Sequence, residues 1–150
     1  MTITTYATLK TAVASRLARS NMTSLIPDFI YHAHSKMMRG DPSINLPPLR
    51  ISDMLTAADL TPSSGSATLP AGYLEMKRIY TNSSDTTPLL YKPPEDWYGL
   101  SFEGESGTPR FFTIEGTTLK IAPHDTTTLK ILYYGSFSQM SADADYNAVI

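Results

Sequence analysis

Hydrophobic spacing changes once along these 150 residues, and the change sets the order in which two kinds of secondary structure must come. Up to Arg39, apolar residues recur every three or four positions. Beyond the Pro47-Pro48 pair they alternate with polar ones or fall in short β-branched and aromatic runs. The first spacing builds one apolar stripe along a helix, and the second builds one apolar face along a strand. The expected class is therefore α+β, with the helices first.

Tyr6, Leu9, Val13 and Leu17 form the stripe of a helix from Tyr6 to Ala18, with Thr5 as its cap and Arg16 and Arg19 in its last turn. Ile26, Phe29, Ile30, Ala33 and Met37 mark a second. Its expected cap is Thr23 or Ser24, Pro27 falls in its first turn, and Gly40 ends it. The short Ser20-Asn21-Met22 link makes the two antiparallel neighbours, a helical hairpin.

Past Pro48, Leu49, Ile51 and Asp53 alternate with Arg50, Ser52 and Met54 as a strand would. Thr61 to Gly65 is turn chemistry. Ser66 to Leu69 and Leu74 to Asn82 read as strands, and Ser83-Ser84-Asp85 as a hairpin turn into Thr87 to Tyr91. Proline and acids at Pro93-Pro94-Glu95-Asp96-Trp97 begin a short helix. Arg110 to Glu115, Thr118 to Ala122 and Thr128 to Tyr134, separated by Glu115-Gly116 and Pro123-His124-Asp125, read as an antiparallel meander. The expectation is one domain over residues 1–150: an N-terminal helical hairpin (1–40) packed with an antiparallel β-sheet or meander (49–137), then a C-terminal segment (138–150).

A formal net charge of -2 is wrong for a protein whose main business is to grip nucleic acid by its phosphates. With no cysteine, disulfides, thiolate zinc sites and cysteine nucleophiles are excluded, and stability must come from packing or assembly. Met1-Thr2-Ile3-Thr4-Thr5 lacks the features of a secretion signal. No apolar run approaches the ~18–20 residues that cross a bilayer, so a soluble chain with no membrane partner is expected.

Residues with chemical potential are scattered. His32 and His34, two apart on a helix, point away from each other and cannot share an ion; Asp28 and His32, four apart, could, but fit a surface ion pair better. His124, beside Asp125, belongs to a turn. Glu95-Asp96 and Glu103 with Glu105 lie where acids are expected for solvation, and neither phosphate-binding glycine motif is present. Arg16, Arg19, Lys36 and Arg39 solvate helix ends. Met22, Met37, Met38 and Met54 read as flexible core filler. No catalytic residue, metal ligand or cofactor site is expected. Interfaces are the remaining prospect: Trp97 and Tyr98, with Tyr91 and Phe102 nearby, form an aromatic cluster that suits an interface or core filling equally, and Tyr146, Val149 and Ile150 lie in an apolar C-terminal segment.

Four further patterns carry a resemblance. They are Leu69-Pro70-Ala71-Gly72-Tyr73-Leu74; then Gly107-Thr108-Pro109-Arg110 followed by Phe111; then Leu119-x-Ile121-x-Pro123 and Leu129-x-Ile131-x-Tyr133-Tyr134. In this order, after a helical pair, they resemble the head-to-tail adaptor (connector) proteins of tailed bacteriophages. Pro123-His124-Asp125 stands where that family more often has Pro-x-Pro. The family pattern also continues beyond Asp143 to Asn147 into helices and a tail that dock on the portal, so docking residues do not carry over.

The resemblance implies a non-enzymatic virion protein at the head-tail junction, assembled in the host cytoplasm. It would be a homo-oligomeric ring, a dodecamer, bound to the portal protein and to a downstream tail or nozzle protein, with packaged DNA passing through its lumen. A tail or fibre-anchor docking component and a small hydrolase are the alternative readings.

Overall fold

A computed structural model describes residues 3–81, 87–100, 103–143 and 145. The chain divides into two compact units, one made of Met1–Met54 with Ser136–Ile150, the other of Leu55–Gly135. With helices in the first and sheets in the second, the class is α+β.

In the first unit, α1 spans Tyr6–Leu17. Thr5 caps it as expected: its hydroxyl accepts from the Thr8 N–H at 3.3 Å, while the Thr5 N–H donates to the Thr8 hydroxyl at 2.9 Å, a reciprocal capping box. A 3₁₀ turn over Ser20–Leu25 then runs straight into α2, Ile26–Arg39. Neither Thr23 nor Ser24 is a side-chain cap. Leu25 precedes α2 in helical conformation, and the Ile26 N–H donates to the Thr23 carbonyl, so the preceding turn does the work of a cap. Gly40 ends α2 at φ 76°, where a Cβ would lie 2.7 Å from the Leu46 carbonyl oxygen and 2.9 Å from the Pro48 nitrogen.

The expected strand from Leu49 does not form. The Leu49 N–H donates to the Met37 carbonyl at 2.8 Å, and Arg50 Nη1 donates to the Met38 carbonyl at 3.0 Å. These bonds use the free carbonyls at the end of α2, and Ser52–Met54 is a 3₁₀ turn with Met54 buried. Alternation here docks a linker on a helix end, and the sheet region opens at Leu55.

The second unit holds two sheets. β1 (Leu55–Leu60), β7 (Leu129–Gly135) and β3 (Tyr73–Thr81) form an antiparallel sheet in the order β1-β7-β3. β2 (Ser66–Thr68), β6 (Thr118–Ala122), β5 (Phe111–Glu115) and β4 (Leu90–Tyr91) form the other, in the order β2-β6-β5-β4. Phe112, Leu119 and Ile121 from one sheet and Ile79, Leu129, Ile131 and Tyr133 from the other share one buried cluster, so the sheets face each other across a common core.

All three strands of the expected meander exist, but they do not make a meander. β5 and β6 pair as a hairpin, whereas β7 crosses to the other sheet and pairs with β1 and β3. The connection is held elsewhere: the His124 N–H donates to the Glu105 carbonyl at 2.6 Å, and the His124 carbonyl accepts from the Gly107 N–H at 2.9 Å. Nor is the pairing wholly antiparallel. Leu89 N–H still reaches the Ile79 carbonyl, as a hairpin from β3 requires, but β4 then joins β5 in parallel. The expected turn at Ser83-Ser84-Asp85 lies outside the described residues.

Candidate interaction surfaces

The Pro93-Pro94-Glu95-Asp96-Trp97 stretch forms one helical turn, α3 (Pro94–Trp97), which packs against β5. Proline fixes φ in the first turn, where no amide donor is needed, and Glu95 and Asp96 add negative charge at the positive end of the turn. Trp97 is 1% exposed, and its Nε1–H donates to Glu103 Oε1 at 2.9 Å. The indole is therefore spent within its own unit. Tyr98, next in sequence, is 65% exposed.

Tyr98 is exposed but held. Its hydroxyl donates to Glu115 Oε1 at 2.9 Å and accepts from Lys120 Nζ at 3.2 Å, while Lys120 pairs with Glu115 at 2.8 Å and lies 5.1 Å from the Tyr98 ring centroid. Glu115 ends β5 and Lys120 lies in β6, so the hairpin register brings both beneath the ring. The Lys120 ammonium, then the Tyr98 hydroxyl, hold the Glu115 carboxyl below its ordinary pKa; Glu115, then Tyr98, hold Lys120 above its own. An aromatic face fixed this way loses little side-chain freedom on meeting a partner. Leu90 and Tyr91 of β4, at the end of the same sheet, are also exposed, and the Tyr91 ring packs against Phe112 at 5.5 Å. Phe102 lies outside the described residues.

The first unit carries a second apolar surface. Leu9 and Val13 of α1, Phe29, Ile30, Ala33 and Met37 of α2, and the returning residues Phe137 and Met140 line a groove of about 350 Å³. The helix residues are those of the two sequence stripes; each stripe covers the other only in part, so Phe29 and Met37 remain exposed. The contribution of Phe137 and Met140 was not readable from spacing, because two isolated apolar residues in a polar stretch have no period. His34 also lines this groove, with its Nε2 buried and unpartnered. Met38 and Met54 are buried, in keeping with their reading as filler.

Beyond the groove, residues 141–143 and 145 meet the start of α1. The Asp145 N–H closes a turn on the Ala142 carbonyl at 2.9 Å, and its carboxylate accepts from the Ser141 and Ala142 N–H groups at 2.8 and 2.7 Å, which hold its pKa down. The Tyr6 N–H donates to the Asp145 carbonyl at 2.7 Å, the Ala7 N–H to the Asp143 carbonyl at 3.2 Å, and Lys10 pairs with Asp143. These contacts satisfy amide donors that α1 leaves free at its first turn. Tyr146, Val149 and Ile150 lie outside the described residues.

The remaining candidates stay apart. His32 is exposed beside Tyr31, with ring centroids 5.7 Å apart, and Asp28 is exposed on the same helix. His124 lies over Gly65, which has φ 71° and no room for a Cβ beneath the imidazole ring. Its neighbour Asp125 accepts from the Thr126 and Thr127 N–H groups and the Thr127 hydroxyl, which makes it the anchor of a turn. Among the described residues no three histidines or acids gather as ligands, and no helix is long and apolar enough to cross a membrane. Of the basic residues, Lys36 pairs with Asp41 at 2.7 Å, and that contact, helped by Ser43, pulls the Asp41 pKa down to about 2.

The family model described as SU10 adaptor protein matches residues 4–150, both units included. No curated protein matches the chain.

Proposed function

We propose that this chain, which belongs to the SU10 adaptor protein family of phage virion proteins, is the ring subunit that joins the portal of the head to the tail. The observation that carries the reading is the family match along residues 4–150, supported by the kind of surface the subunit offers. A closed ring needs two unlike patches on each subunit, so that each copy's first patch meets its neighbour's second. The second unit offers the held Tyr98 with Leu90 and Tyr91, and the buried Trp97 anchors the turn that carries Tyr98. The copy number is that of the portal, a dodecamer, and DNA passes through the lumen. The chain acts by shape and adhesion without catalysis, in the virion at the head-tail junction after assembly in the host cytoplasm. Its further partner is a downstream tail or nozzle protein.

The test is to mix the purified chain with tailless heads carrying the portal, then to image the particles and measure their mass. Rings of added density beneath the portal, with about twelve copies per head, are expected. Density on the tail alone, with nothing bound to the portal, would favour a fibre-anchor role and overturn the junction assignment.

A further inference from the structure

The second unit is closed along one flank and open along the other. Beside β3, Pro88 bridges Tyr80 and the Leu89 N–H donates to the Ile79 carbonyl at 3.0 Å; one residue later, the Leu90 N–H donates to the Arg110 carbonyl at 2.9 Å, just before β5. The chain thus passes from the edge of one sheet to the edge of the other, and β3 and β4 share a flank. β1 lies at the far edge of its sheet, beyond β7, and so belongs to the opposite flank. Among the described strands only β7 pairs with it.

Of the four edges that the described strands present, three are blunted. β2 has three residues and β4 two, while β3 is longer but carries two register shifts and is partly covered by Pro88 and Leu89. β1 differs. It has six residues, pairs with β7 without a shift, and holds neither proline nor lysine. Short length, bulges, proline, lysine and a covering segment are the devices that keep an edge from adding strands, and β1 uses only the single charge of Asp59. Every second residue of such a strand turns its N–H and carbonyl away from its one neighbour. Leu55, Thr56, Ala57 and Asp59 are exposed along it.

We propose that β1 is the second patch of the ring contact, and that its occupant is a second copy of this chain docking by its β4 edge, with Leu90 and Tyr91. The proposal rests on the ring reading above. Placement supports it first: a head-to-tail contact needs two unlike patches facing away from each other, and the two edges lie on opposite flanks of one compact unit. Pairing β1 with itself would close at two copies and build no ring.

The backbone supports it next. The Leu90 and Lys92 N–H groups donate to the Arg110 and Phe112 carbonyls, so Tyr91 between them turns its own N–H and carbonyl outward. β1 supplies the complementary row, and a strand added to an open edge gains main-chain bonds of this kind. Side chains agree with both. Asp59 is the one charge on β1 and makes no ion pair among the described residues, while the charge that follows β4 is the cation Lys92. Leu55, 38% exposed, offers apolar area to Leu90 and Tyr91, which are 61% and 55% exposed.

The chain has no cysteine, so introduced thiols report the contact directly. Single variants Ala57→Cys and Leu90→Cys are mixed, bound to tailless heads carrying the portal, oxidised mildly and digested for mass spectrometry; the same mixture is oxidised free at high concentration. A disulfide needs Cα atoms within about 7 Å, so a second mixture, Thr56→Cys with Leu90→Cys, covers the neighbouring register. Peptides joining position 56 or 57 to position 90 are expected. Links only between like positions would show a twofold contact, and free thiols in rings imaged on the portal would move the contact elsewhere; either result overturns this proposal and leaves the ring standing. Links between unlike positions with no density at the portal would keep the contact and sink the junction assignment. In a second measurement, Ala57→Lys sets a charge on the exposed edge. Its thermal midpoint should change by no more than a few degrees, while the population of rings in the ultracentrifuge falls at least tenfold. An unchanged ring population would overturn the proposal.

Discussion

Gly65 and Gly116 share a backbone geometry, with φ 71° and 61°, but not an environment. A Cβ on Gly116 would meet nothing within 4 Å, whereas one on Gly65 would run into the His124 ring. Gly116→Ala should therefore lose only the backbone penalty of the left-handed region, about 1–2 kcal/mol. Gly65→Ala should lose more, about 2–4 kcal/mol, because steric overlap adds to that penalty. Denaturant midpoints followed by fluorescence of Trp97, the only tryptophan and a buried one, measure the difference. A Gly65→Ala variant no weaker than Gly116→Ala would show that His124 yields without cost.

The Tyr98, Glu115 and Lys120 cluster sets a second expectation at this scale. The Glu115 carboxyl titrates below its ordinary value of 4.5, so its contribution is complete above that value and is lost as pH falls through the depressed one. Lys120 titrates above its ordinary 10.5, so its contribution is complete below 10.5 and is lost as pH rises through the raised value. Because both charges remain within reach of solvent, the stability change is small and the carboxyl chemical shift is the better readout. Lys120→Met should move the Glu115 midpoint back toward 4.5; an unmoved midpoint would mean the ion pair does not persist in solution.

Among the elements, α3 rests most heavily on one side chain. Its four residues are too few for a helix to hold by itself, and Trp97 supplies both buried area and a hydrogen bond to Glu103. Trp97→Ala should destabilise by about 3–5 kcal/mol. Trp97→Phe keeps most of the packing and loses the N–H donor, for about 1 kcal/mol. Thermal melts followed by circular dichroism compare the two; equal losses would mean that the indole N–H, and not the packing, dominates. For α1, Thr5→Ala removes the capping hydroxyl and should cost about 1 kcal/mol. This cap was readable because Thr5 stands immediately before the first stripe residue. The start of α2 was not, because a 3₁₀ turn supplied the carbonyls that a side-chain cap would have replaced.

For the whole molecule, the exposed Tyr98 and Leu90 predict a separation of folding from assembly. Tyr98→Ala with Leu90→Asp removes exposed groups only, so the thermal midpoint should change by no more than a few degrees, while the population of rings measured by analytical ultracentrifugation should fall at least tenfold. Rings formed at the unaltered level would move the subunit contact off this sheet.

The sequence by itself determined the class, the two helices, the strands around Phe112, Leu119 and Ile131, and the short helix at Trp97. Each follows from a local spacing or a local backbone restriction, and neither changes when distant residues are brought near. Only the tertiary structure decided which strand pairs with which. Leu129, Ile131 and Tyr133 bury the same face whether β7 lies beside β6 or across the core from it, so their alternation could not distinguish a meander from two facing sheets. The same holds for Leu49 to Asp53, whose alternation fits a strand until the carbonyls at the end of α2 claim the backbone donor of Leu49. Which buried face meets which is a long-range choice, settled by the joint burial of both sheets and by where each backbone donor finds its acceptor.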